Sequence, residues 1–169
     1  PGLFFCPKFE PINAIFSLKS YLPFDVLPAW RKVRDLPMEE QKRRLADPEV
    51  RRELVAAEER MKPRDNVFQG GGAATTDPRR PDYSNLYALN GVDWDDPTVE
   101  QLARARGQHP VEVMIDLSLA NENQVYVQPL VNESPDDVLG ILKHERTLAT
   151  FSDSGAHVAQ EMGSSLQTH

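Results

Sequence analysis

The chain has 169 residues, 40% hydrophobic and 27% charged, with a formal net charge of -7, which suits a water-soluble domain large enough for a real core. That acidic balance argues against a nucleic-acid partner, because phosphate backbones demand concentrated Lys and Arg. No apolar run nears the ~20 residues that span a bilayer, and the single Cys6 excludes an intrachain disulfide framework and fits a cytoplasmic location.

Taken in chain order, Leu3 to Cys6 is short, apolar and stopped by Pro7, which predicts a buried strand. The opening PGLFFCPKF has no initiator Met and no signal-peptide pattern, so a piece of a longer protein is expected. Prolines 11, 23 and 28 predict irregular chain up to position 28. Helices are expected over 29–34 and 38–46. A third, capped by Asp47 and opened by Pro48, should run to about Met61 with an apolar stripe of Val50, Leu54, Ala57 and Met61. The basic residues of 31–64 alternate with Glu and Asp, as on a solvated helical face.

From Lys62 to Asp82 the chain turns to Gly70-Gly71-Gly72, Pro78 and Pro81, a flexible loop. A phosphate cradle would need a strand before it and a helix after it with a Lys-Ser/Thr pair, none of which is present. Ser84–Leu89 predicts an extended strand. Asp96-Pro97 predicts a helix start with Asp96 at the cap, and Gly107 its end. Pro110 opens another helix, Val125–Val127 is a short strand, and Ser134-Pro135 caps a helix through Lys143. Thr147–Phe151 is a last strand. The alternation after residue 84 predicts a parallel α/β sheet, open or closed into a barrel, with functional groups at the carboxyl ends of strands.

Asp153 falls at such an end, in the segment TFSDSGAH. An acidic residue directly after a buried strand is placed to bind a metal or substrate. Asp followed by Ser-Gly is also a common turn or cap. Both readings stay open on these residues alone.

The surrounding pattern resembles the N-acyl-D-amino-acid deacylase branch of the metal-dependent amidohydrolase superfamily. Ala103, Gly107, Pro110 and Asp116-Leu117 fill its "A-x-x-x-G-x-x-P-x-x-x-x-x-D-L" run in register. Val125–Val127, then Asp137-Val138 with Ile141-Leu142, then Ser152-Asp153 with His157 follow in the same order. An "L-x-D-P-x-x-R" run stands at Leu45, Asp47, Pro48 and Arg51. The resemblance implies a partial (β/α)8 barrel of TIM type. Residues 1–65 would be an irregular and helical, Pro-rich portion, 66–83 a flexible loop, and 84–169 the final β/α units. It implies that Asp153 binds zinc and carries a proton from the attacking water to the leaving amine, with His157 a substrate-binding candidate. The implied activity is cleavage of a linear C–N amide in N-acyl-D-amino acids or related compounds.

The sequence departs from the family at its metal shell. His109, His144, His157 and His169 show no i, i+2 or i, i+4 pair, whereas a catalytic zinc takes about three protein ligands. The remaining ligands are expected before Pro1, so the fragment alone should be inactive and should associate with itself or with the missing part of the barrel. His109 is expected to cap or lie at the surface, His144 to be structural, and Cys6, Trp30 and Trp94 to pack. Two rival functions stay open: a non-catalytic α/β interaction domain using 29–62, and a cyclic-amide hydrolase of the hydantoinase kind.

Overall fold

A computed structural model describes residues 12–61, 80–91, 95–131 and 134–147. The expectations for Leu3–Cys6, Gly70–Gly72, Trp94, the strand after Thr147, Asp153 and His157 therefore lie outside the described residues. The architecture is mixed α/β, and the chain divides into two units, 13–129 and 1–12 with 130–169.

The larger unit begins with β1 (Ile12–Ser17), where the proline content predicts irregular chain. Positions 12–22 are free of proline, which leaves room for a strand between the breakers, although Ile15, 66% exposed, interrupts a strict apolar–polar alternation over Ile12–Ser17. The sheet order is β1-β3-β2, with β2 (Tyr87–Ala88) and β3 (Val125–Val131). β2 pairs antiparallel with β3, Tyr87 opposite Val127, so this pair departs from the parallel sheet expected from element alternation. The chain running on from Ala88 turns back through Asn90 and Asp96, whose carboxylate accepts the Asn90 N–H at 2.7 Å.

Helices fill the interval between β1 and β3. α1 (Pro28–Arg34), α2 (Met38–Ala46) and α3 (Pro48–Glu59) match the expected spans closely. Asp47 caps α3 by accepting the Glu49 N–H at 2.9 Å, and Pro48 takes the first helical position, where a missing N–H costs nothing. α4 (Val99–Arg106) is capped by Thr98, not by Asp96. Thr98 Oγ1 accepts from Gln101 N–H while Gln101 Oε1 accepts from Thr98 N–H, a reciprocal pair that fixes the start two residues later. Gly107 ends α4 at φ 61°, and α5 (Pro110–Ala120) follows at once.

The core gathers the apolar stripes of these helices over the sheet: Trp30, Leu45, Leu54, Val99, Met114 and Tyr126 are buried in one cluster. Trp30 packs tilted against Phe24, ring centroids 4.6 Å apart, and donates its indole N–H to the Leu54 carbonyl at 3.2 Å. Two basic residues leave the expected solvated face. The Arg34 side chain is almost fully buried, bound to Asp25 at 2.9 Å and to Gln41, and Arg51 is tucked between helices. Other pairs run along a helix as the sequence predicts, such as Arg52 with Glu49, both exposed, and Arg43 with the half-buried Glu40.

In the smaller unit, α6 (Pro135–Lys143) starts as expected, with Ser134 Oγ accepting the Asp137 N–H at 3.2 Å. His144 ends it structurally, its Nδ1 accepting from the Arg146 N–H. Among the described residues no helix is long and apolar enough to cross a membrane.

Candidate functional site

The two motif runs meet in space. Arg51, from α3, places Nη1 2.6 Å from Asp116 Oδ1 on α5, and its Nε donates to the Leu45 carbonyl at the end of α2. The other oxygen of Asp116 accepts from Gln108 at 3.0 Å. One guanidinium thus ties the C-terminus of α2 and the start of α3 to α5. The remaining motif positions shape the same corner. Ala103 is buried and its carbonyl accepts the Gln108 N–H, Gly107 supplies the left-handed turn, and Pro110 opens α5.

A second polar constellation lies beside this corner. Glu58, on α3, is 0% exposed. Its Oε1 accepts from the Tyr83 hydroxyl at 2.8 Å and lies 2.6 Å from Arg80 Nε; its Oε2 accepts from Arg80 Nη2 at 3.0 Å. The Arg80 Nε–H is not aimed along its short contact and has no aligned acceptor among the described residues. His109 Nε2 stands 3.7 Å from Oε2. Burial first, then the Glu58 carboxylate, push the Tyr83 phenol well above the ordinary tyrosine range, so it stays a donor.

Sequence reasoning missed this cluster, although a signal existed. Glu58 lies four residues after Leu54 and next to Ala57, so it falls on the apolar stripe of α3. A carboxylate on a buried stripe needs partners, and a cation and a hydroxyl from the C-terminal end of the Gly/Pro loop, Arg80 and Tyr83, supply them. Chemically the arrangement is closed. A Glu-His pair could activate a nucleophile only if the other imidazole nitrogen were free, yet His109 Nδ1 accepts the Val111 N–H at 3.2 Å. The capping role expected of His109 holds, and the cluster works as a latch joining residues 80–83 and the start of α5 to α3.

Neither cluster provides a metal site: among the described residues no group of three or more His, Cys, Asp or Glu could hold an ion. The structure brings together Arg51 and Asp116 from the motif runs, while Asp153 and His157 lie outside the described residues. Comparisons with protein-family models, with curated proteins and with solved structures give no match to this chain.

Proposed function

We propose that this chain is the C-terminal part of the catalytic barrel of a zinc-dependent amidohydrolase of the N-acyl-D-amino-acid deacylase type. The contact between the two motif runs supports the packing that the resemblance implies, while the catalytic part of the reading rests on Asp153 in TFSDSGAH. Arg51 of the first and Asp116 of the second pair at 2.6 Å, so patterns separated by some fifty residues belong to one packed corner. From that corner the chain proceeds through β3 and α6 toward Ser152-Asp153 in the order the resemblance implies.

In this reading the fold is a partial (β/α)8 barrel and Asp153 ends its last strand. Its carboxylate takes the proton of the attacking water and returns it to the leaving amine, while His157 contacts the substrate. Zinc, when bound, supplies the Lewis acidity that brings water's pKa toward ~7. The histidine ligands of such a site have no counterpart in this sequence, so hydrolysis requires the polypeptide that carries them. The partner of this segment is then the rest of the barrel, and the substrate a small N-acyl amino acid.

The test is Asp153→Asn in that longer polypeptide, assayed on a panel of N-acyl-D-amino acids at matched zinc content. Turnover should fall by ~10²-fold or more with the melting temperature kept, since Asn caps about as well as Asp but cannot accept a proton. Retention of more than about a tenth of the activity, less than the loss of a general base should cause, overturns the assignment. The interaction-domain reading has one observation in its favour: Arg51, Asp116, Glu58 and His109 are all engaged with other parts of the fold. Absence of bound zinc from the longer protein would favour it.

A further inference from the structure

His109 uses its two ring nitrogens for different partners. Nδ1 accepts the Val111 N–H at 3.2 Å, so in the neutral ring the proton sits on Nε2, which faces Glu58 Oε2 at 3.7 Å. Val111 is buried and stands in the first turn of α5, where its N–H has no acceptor within the helix. The His109 side chain is 25% exposed, so solvent protons reach it.

We propose that this arrangement is a pH-sensitive latch, in which a second proton on His109 frees the N-terminus of α5 while drawing the ring toward Glu58. Because Nε2 already carries a proton, the second must go to Nδ1. Nδ1 then becomes a donor facing the donor N–H of Val111, and the cap is lost. The imidazolium is at the same time attracted to a buried carboxylate on another helix. Glu58 from α3 and Glu112 from α5, whose Oε2 accepts the His109 N–H at 3.2 Å, favour the added charge. Arg80, already on Glu58 together with Tyr83, opposes it, as does the positive end of α5. Of the charges on the other packed helices, Arg104 of α4 pairs with Glu100, Lys42 of α2 pairs with Glu39 and Glu122, and Arg106 ends α4 exposed. Asp116, further along α5, is held by Arg51 and Gln108. The inference is independent of the deacylase reading.

The experiment is amide hydrogen exchange by NMR on the intact chain between pH 8 and 5.5, expressed as protection corrected for intrinsic rates. Val111 protection should fall about five-fold as His109 is protonated, the fold-change corresponding to the usual worth of an N-cap. Leu117, deeper in α5, should hold constant. In His109→Asn the amide oxygen still accepts from Val111 but cannot titrate, so protection should stay flat. Ring nitrogen shifts should show the Nε2–H tautomer at pH 8. Unchanging Val111 protection in the wild type, the same fall in His109→Asn, or an Nδ1–H tautomer would each overturn the latch. The wild-type readings decide the matter even if the variant does not fold.

Discussion

Replacing Arg80 by Met tests whether the Glu58 cluster holds the larger unit together. The substitution keeps the length of the side chain and removes its charge, leaving a fully buried carboxylate with the Tyr83 hydroxyl as its remaining close donor. Breaking one side of a buried ion pair costs about 3–5 kcal/mol, because the other charge stays desolvated and uncompensated. Arg80 is itself 34% exposed, so water partly screens the loss and the lower end, ~3 kcal/mol, is expected. The triple replacement Glu58→Leu, Arg80→Met and Tyr83→Phe removes the carboxylate together with its two hydrogen-bond donors. It should cost much less than Arg80→Met alone, about 1 kcal/mol or below, since apolar packing of similar volume often equals a buried pair. Urea unfolding at pH 7, fitted with a common slope, gives both differences. A cost below ~1 kcal/mol for Arg80→Met, the range of a surface pair, would refute the reasoning. So would a triple variant less stable than the single one.

Arg51→Met removes donors to both Asp116 and the Leu45 carbonyl and should cost ~2 kcal/mol, as hydrogen bonds with a charged partner do; urea midpoints check it. Gly107→Ala forces a side chain into a left-handed turn at φ 61°, costing about 1 kcal/mol and lowering the melting temperature by about 2–4 °C. Glu122 is held at a pKa of about 2, against 4.5 ordinarily, first by its hydrogen bond to Lys42 and then by Lys19. Its folded value lies below its unfolded one, so its stabilising effect is complete above pH 4.5 and vanishes as pH falls through about 2. Glu122→Gln should therefore flatten that part of the acid-unfolding profile, and an unchanged profile would remove Glu122 from the account.

Local signals carried most of the fold. Asp47-Pro48, Gly107-Pro110 and Ser134-Pro135 each marked a helix boundary because a cap, a left-handed turn and a missing N–H act within a few residues of chain. The errors arose where two local rules competed or where pairing was at stake. Asp96 and Thr98 were both fit caps, and the reciprocal bond with Gln101 decided for Thr98. β1 was hidden by its flanking prolines. The antiparallel setting of β2 on β3 depends on contacts across about forty residues, which no window of sequence contains.

The motif residues and the chemistry have separate physical bases. Ala103, Gly107, Pro110, Asp116 and Arg51 were singled out as a pattern, and each has a task in holding a helix corner: close packing, a positive φ, a first-turn proline, and an ion pair with its anchor. Such a pattern reports the geometry of the corner and would persist in any protein built on it, catalytic or not. Glu58 shows the converse. It bears the most buried charge among the described residues, yet no pattern named it, because its partners come from Arg80, Tyr83 and His109, which the chain brings together only by folding. The catalytic claim therefore rests on Asp153 and its setting in TFSDSGAH, and stability measurements on the corner cannot substitute for turnover measured with Asp153 altered.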